Sequence, residues 1–332
     1  MTASVAMCTY NGALYIEEQL RSILAQTVPV NEIVICDDGS TDTTIDILHR
    51  VQQSTTTPIT IYVNEQHLGV NANFEKAIKH CSGDIIFLSD QDDIWEENKV
   101  EVIKHYFSTH NDKTVVFGDA ILIDSNGSTI RNERGIIKLW DVFGFSKKAQ
   151  KQFDNGFELE LWVRSNRATG ATMALRKELG QNIASYDIGL QILHDCLLSV
   201  LAFDKHSLGY VVEPLIRYRL HGHNAAGVDF DLLDREYFDD ARYPVAECWT
   251  NYAKLLTCTP HFIERIEFQT IRFNFIRSLF GWEILLSLLR YFRCYGIYGF
   301  SFFCFDYRRC FIYSISRIKR NIIKLFRTKL IK

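Results

Sequence analysis

The 332-residue chain lacks the features that mark several large functional classes. No CxxC occurs among its nine cysteines, their number is odd, and Cys8 and Cys36 fall in short apolar runs. Reduced thiols are therefore expected, with neither a disulfide scaffold nor a zinc site. No GxGxxG opens the first helical stretch and no GxxxxGK[ST] occurs, so the dinucleotide fingerprint and the P-loop are both missing. A run of about eighteen uncharged apolar residues, the length a spanning helix needs, is also missing. The N-terminus enters an apolar strand at once, without the basic segment and apolar stretch of a signal peptide. What is present is a chain with 47% hydrophobic residues, ample for one large domain or a catalytic domain with an appendage.

The first ninety or so residues alternate in period. Ser4–Cys8 and Glu32–Cys36 are apolar runs, Ile59–Val63 is β-branched, and Asp84–Leu88 reads as a buried strand. Between them Leu14, Ile16, Leu20, Ile23 and Leu24, then Ile45, Ile47, Leu48 and Val51, recur at helical spacing, and residues 71–80 read as a further helix. Strand and helix at this rhythm predict a parallel sheet with right-handed crossovers, whose ligands sit beyond the carboxyl ends of the strands. The turns meeting there are Thr9–Gly12, Asp37–Ser40 and Asp90–Asp93.

Asp90-Gln91-Asp92-Asp93 concentrates carboxylates at a strand end, where they repel unless a cation or hydrogen-bond donors neutralise them. Hard oxygen ligands on a short loop suit Mg²⁺ or Mn²⁺ with positions left for phosphate oxygens. The alternative is an acidic turn in which Asp93 caps a helix beginning near Trp95. A phosphate site without a glycine cradle needs a bridging metal, which favours the first reading.

Together, Cys8-Thr-Tyr-Asn11, Asp37-Asp-Gly-Ser40, Gly69–Phe74 and Ser89-Asp-Gln-Asp-Asp-Ile-Trp95 resemble family 2 glycosyltransferases. The last of these motifs looks most like the bacterial rhamnosyltransferase-type branch that builds surface polysaccharides. The resemblance covers roughly residues 3–228. It implies an α/β GT-A fold with a mostly parallel central sheet flanked by helices, a nucleotide-diphosphate sugar donor and a divalent cation. By resemblance Thr9, Tyr10, Asn11 and Asp38 border the nucleoside, with Asp38 accepting from the base or ribose. Chemically a carboxylate can accept the N3–H of uracil or thymine, and Tyr10 offers a stacking face. An Asx-turn at Asp37/Asp38 and strand-end packing of Tyr10 are the plainer readings. Asp92 is then the metal ligand, and Asp90 contacts ribose or metal-bound water.

Beyond Asp124–Gly127, a hairpin-like turn, the βα rhythm is lost. Residues 132–160, around Trp140, Phe143 and Phe145, read as a mobile cover over the site. Asn166–Met173 looks like the family's glycine-containing loop beside the donor sugar, although Gly170 alone reads as a turn residue. His194-Asp195 opens an apolar helical run and resembles the family's His-Asp pair, whose Asp is the general base. An inverting transfer needs such a carboxylate to take the acceptor hydroxyl's proton, while a bare N-cap is the alternative. Tyr218-Arg-Leu-His-Gly-His-Asn224 resembles the family's Tyr-Arg-x-His-Gly-x-Asn signature, in which His221 serves metal or diphosphate and Arg219 offsets phosphate charge. A structural His221 is the other reading.

Net charge is only −3, but from Glu264 onward fourteen Lys/Arg face four Asp/Glu, a local +10 that leaves −13 on the rest. Basic residues beside Phe273, Phe280, Trp282 and Tyr291 suit helices lying on an anionic bilayer, not a nucleic-acid site. An ordinary buried helical pair with a solvated basic end is the alternative. The expected organisation is a GT-A domain over 1–228 (nucleotide-binding half 1–125, acceptor half 126–228) with a membrane-associating helical appendage over 229–332. The expected setting is the inner face of a bacterial plasma membrane, with a lipid-linked saccharide as acceptor.

Overall fold

The computed structural model describes residues 1–154, 167–180, 193–204 and 206–222. The chain divides into two compact units, Met1–Asn251 and Tyr252–Lys332, and every described residue belongs to the first. The helical appendage expected over 229–332 lies outside the described residues.

The strands β1 (Ala3–Thr9), β2 (Glu32–Asp37), β3 (Ile59–Val63) and β4 (Ile85–Ser89) alternate with the helices α1 (Ile16–Leu24), α2 (Thr44–Gln53) and α3 (Val70–His80), the rhythm read from the sequence. β5 (Ile94–Trp95), α4 (Lys99–Thr109) and β6 (Val115–Ile123) follow, then a two-strand ribbon of β7 (Arg131–Asn132) and β8 (Gly135–Ile136). Next come α5 (Leu139–Phe143), α6 (Lys147–Asp154), a 3₁₀ turn at Gly170–Thr172, β9 (Ala174–Arg176), α7 (Lys177–Gly180), α8 (His194–Asp204) and β10 (Leu208–Arg219).

Eight strands form one sheet in the order β3-β2-β1-β4-β9-β6-β10-β5. β1 pairs in parallel with β2 and β4, β2 with β3, and β6 with β10. β9 runs antiparallel between β4 and β6, and β5 antiparallel on β10. Every residue of β4 is buried, which is why its sequence is an unbroken apolar run instead of an alternating one. α1 turns Ile16, Leu20 and Ile23 inward. Leu14, expected on the same apolar face, precedes the helix and is 86% exposed. Pro214 stands where the β6/β10 register shifts, a position open to a residue that cannot donate to the ladder.

One alternative reading and one expectation are corrected. No helix starts near Trp95: Ile94 and Trp95 pair with Arg217 and Ile216, and α4 begins at Lys99. Pairing to β10 and burial of the indole outweigh helical preference there. Nor is Trp140 or Phe145 part of a mobile cover. They are 4% and 1% exposed and form an aromatic cluster with Phe117, Phe153 and Tyr210, which fixes α5 and α6. Residues 155–160 of that stretch lie outside the described residues. The Asp124–Gly127 turn forms as expected, with the Asp124 carboxylate accepting from the N–H groups of Asn126 and Ser128.

Candidate active site

The chain leaves β1 for β2 on one side and later returns to place β4 on the other, so a topological switch point opens between β1 and β4. Ligands of open α/β sheets bind in this crevice, where neighbouring loops diverge. The loops after β1 and β4 are joined across it by one side chain: Tyr10 N–H donates to Gln91 Oε1 (2.8 Å), and Gln91 Nε2 donates to the Tyr10 carbonyl (3.1 Å). Gly12 makes room for that contact, since a Cβ there would lie 2.2 Å from Gln91 Oε1. Asn11 adopts φ 48°, a left-handed conformation its short amide tolerates. Its Oδ1 accepts from Thr41 N–H (2.8 Å), and its own N–H donates to Ser40 Oγ (2.8 Å). Thr9 is buried and donates to Asp37 Oδ2 (2.7 Å). Tyr10 is 47% exposed, with its ring centroid 4.7 Å from that of His67.

Asp38 is buried and saturated. Oδ1 accepts from Asn64 Nδ2 (2.8 Å) and Leu68 N–H (2.7 Å), and Oδ2 accepts from Gly69 N–H (2.8 Å) and lies 3.0 Å from His67 Nδ1. Burial alone would raise its pKa, but the donors from Leu68, Asn64 and Gly69 outweigh it and hold the carboxyl below its usual value. The carboxylate thus gathers residues 64–69 and leaves His67 and Tyr10 at the surface.

The acidic loop is held from behind. Arg219, 1% exposed, donates from Nε to the Asp92 carbonyl (2.7 Å), from Nη2 to Glu18 Oε2 (2.6 Å) and from Nη1 to the Ser125 carbonyl (3.3 Å). Its backbone N–H reaches Asp93 Oδ1 (2.9 Å), and its guanidinium lies 4.7 Å from the Tyr15 ring centre. In this placement Arg219 clamps the buried acidic loop from behind. Asp92 Oδ2 lies 2.8 Å from His221 Nε2, with both side chains nearly buried, and the imidazole stacks on Tyr15 at 5.0 Å. Asp93 Oδ2 is buried and finds no hydrogen-bond partner among the described residues. Burial, then Asp92 and Asp195, push the Asp90 pKa up; burial, then Asp92 and Asp90, push that of Asp93 up.

Asp195 faces this loop from the first turn of α8, near enough to bear on Asp90. Its Oδ2 accepts from Gly170 N–H (3.0 Å) and its Oδ1 from Cys196 N–H (2.6 Å). Any Cβ on Gly170 would fall 2.9 Å from His194 Nε2, so the turn can approach this closely only with glycine. His194 packs flat on Phe74 at 4.0 Å.

The structure therefore brings Tyr10, Asp90, Asp92, Asp195 and His221 to one crevice and places Thr9, Asn11, Asp38 and Arg219 behind it. Gln91, Tyr15, Glu18 and Lys99 were missed by sequence reasoning. Only Gln91 carried a signal, its position inside the acidic motif. No group of three or more His, Cys, Asp or Glu side chains able to hold a metal occurs among the described residues. A cation that takes most of its ligands from phosphate and water needs fewer protein donors. The Asp92–His221 pair, beside a partnerless Asp93 oxygen, fits such an ion.

Comparison with known proteins gives the family and the fold. Residues 4–168 match the family described as glycosyl transferase family 2. The chain is 31% identical over 237 residues to the dTDP-rhamnosyl transferase RfbG of Shigella flexneri, covering 67% of this chain and 74% of that one. It is 33% identical over 130 residues to an uncharacterized glycosyltransferase of Nostoc, covering 39% of this chain and only 40% of that relative. The crystal structure of S. aureus TarS 1-349 in complex with UDP superposes with a TM-score of 0.53 at 17% identity, covering 93% of this chain and 92% of that one. The sheet and its flanking helices are those of the GT-A fold. The chain belongs to glycosyl transferase family 2 and is a glycosyltransferase.

Proposed function

We propose that the protein is an inverting, divalent-cation-dependent glycosyltransferase of bacterial surface-polysaccharide synthesis. It takes rhamnose from dTDP-rhamnose and passes it to a saccharide carried on a lipid. The observation that carries this reading is the convergence of the Asp92–His221 pair and Asp195 on the β1/β4 crevice. The name of the Shigella relative, which the chain matches over 74% of its length, supports the choice of donor.

In this reading Tyr10 flanks the nucleoside, and Thr9, Asn11 and Asp38 hold the loops that shape its wall. Asp92 and His221 would hold Mg²⁺ or Mn²⁺, which when bound supplies positive charge for the leaving diphosphate. Asp195 accepts the proton of the acceptor hydroxyl as that oxygen attacks the anomeric carbon from the face opposite the phosphate. The bond from the anomeric carbon to the phosphate oxygen breaks, and the nucleoside diphosphate leaves with its electron pair. Two backbone N–H donors, from Gly170 and Cys196, orient the Asp195 carboxylate. Arg219 holds the acidic loop in place without touching substrate.

The test is transfer with Mn²⁺ from a panel of dTDP-, UDP- and GDP-sugars to a GlcNAc-diphospho-alkyl acceptor. Asp92→Asn and Asp195→Asn should each lower kcat by about 100-fold or more. Asp195→Asn should leave dTDP binding by calorimetry unchanged. Transfer from a UDP-hexose in preference would replace the donor assignment. Near-normal turnover by either variant would remove its residue from the chemistry.

A further inference from the structure

We propose that Lys99 is a positioning residue that fixes the acidic loop relative to Asp195; this rests on the glycosyl-transfer reading above. A lysine at the start of α4 that is 1% exposed is unusual, because burying an ammonium is costly and a methionine would fill the space without that cost. Its surroundings show what the charge reaches. Nζ donates to the Ala171 carbonyl (3.0 Å) and lies 3.8 Å from the centre of the Trp95 ring. Burial pulls its pKa down to about 7, while the charges of Asp93 and Asp90 oppose that shift. The amine therefore sits between the indole of Trp95, two residues past the acidic loop, and the turn Gly170–Thr172.

That turn is the one whose Gly170 N–H holds Asp195 Oδ2. A continuous path results: the acidic loop runs directly into Trp95, whose indole meets Lys99, and from there it continues through the Ala171 carbonyl and the Gly170 N–H to Asp195. It spans the two sides of an in-line displacement, from the group that meets the leaving diphosphate to the group that takes the proton. A displacement of about 1 Å between such groups can cost about 100-fold in rate. Lys99 touches neither substrate nor reacting atoms in this scheme. Its effect is exerted on the spacing.

The experiment uses the full-length chain with Lys99→Met, which keeps an unbranched apolar stem and removes the amine. Measured are kcat and donor KM for transfer to the GlcNAc-diphospho-alkyl acceptor and to water, and dTDP affinity by calorimetry. The expected result is a fall in kcat of about 30-fold with donor KM and dTDP affinity within about threefold, the split that lost alignment produces. A kcat within about threefold of wild type, or equal losses in kcat and donor affinity, would overturn the proposal. Should Lys99→Met not fold, Lys99→Gln, a shorter and uncharged side chain, is held to the same kcat loss. Failure of both variants to fold would also overturn it, since Lys99 would then be holding the fold and not the spacing. A wild-type protein that moves sugar from no nucleotide sugar, to acceptor or to water, would instead bring down the transfer reading itself.

Discussion

Gly12 illustrates how contacts across the crevice act through single residues. A methyl group at this position would strike the free end of the Gln91 side chain, so the glutamine gives way before the backbone does. Both of its hydrogen bonds to Tyr10 are then lost. At about 1 kcal/mol net for each hydrogen bond, Gly12→Ala is expected to weaken donor binding by roughly thirtyfold. Calorimetry with dTDP checks the size, and Gln91→Ala added to Gly12→Ala should bring no further loss. Additive losses would show that the two residues act separately. At this scale the sequence was legible where chemistry demands a residue type. Asp92, His221 and Asp195 stand out as carboxylates and an imidazole in the family's pattern, and the fold draws them to one crevice. The pairing of Arg219 with Glu18 was not legible, because the two lie 201 residues apart and nothing in the local pattern announces it.

Among the elements, the long periodic ones were readable and the short ones were not. β1 to β4 and the helices between them fall where apolar periodicity put them. β5 and β9 have two and three residues and carry no period, yet they decide how the sheet closes. β6 carries a further consequence. Asp119 lies buried in it, with Oδ1 accepting from Ala120 N–H (2.9 Å) and Trp140 N–H (3.0 Å). Burial, only partly offset by those donors, pushes its pKa from 3.8 up to about 6. The folded form then holds this proton more tightly than the unfolded form, so stability falls as pH rises from about 4 to about 6 and stays lower above. Asp119→Asn keeps the acceptor oxygen and removes the charge. Urea unfolding should show it more stable than wild type at pH 8 by roughly 2 kcal/mol, with little difference at pH 4. An equal gain at both pH values would rule out ionisation as the cause.

For the molecule as a whole, the uneven charge distribution is the feature with the widest reach. No helix among the described residues is long and apolar enough to cross a membrane. The nine Lys/Arg after Asp306 lie outside the described residues, and at about 1 kcal/mol each near anionic lipid they would suffice for docking. A chain cut after residue 264 is expected to stay in the supernatant when mixed with phosphatidylglycerol vesicles, while the full chain sediments with them. Sedimentation of both would place the contact elsewhere. The parallel βα rhythm made the architecture legible, but the insertion of β9 between β4 and β6 was not, because it depends on pairing between distant segments.

That insertion has a consequence for the protein during its synthesis. β4 and β6 leave the ribosome well before β9, and until it arrives each has backbone N–H and C=O groups open to pairing with another chain. The stretch that seals this seam also carries Gly170, whose N–H holds the carboxylate of Asp195. A nascent chain therefore stays sticky until residues 170–176 emerge, and stays idle beyond that, until Asp195 and His221 have followed.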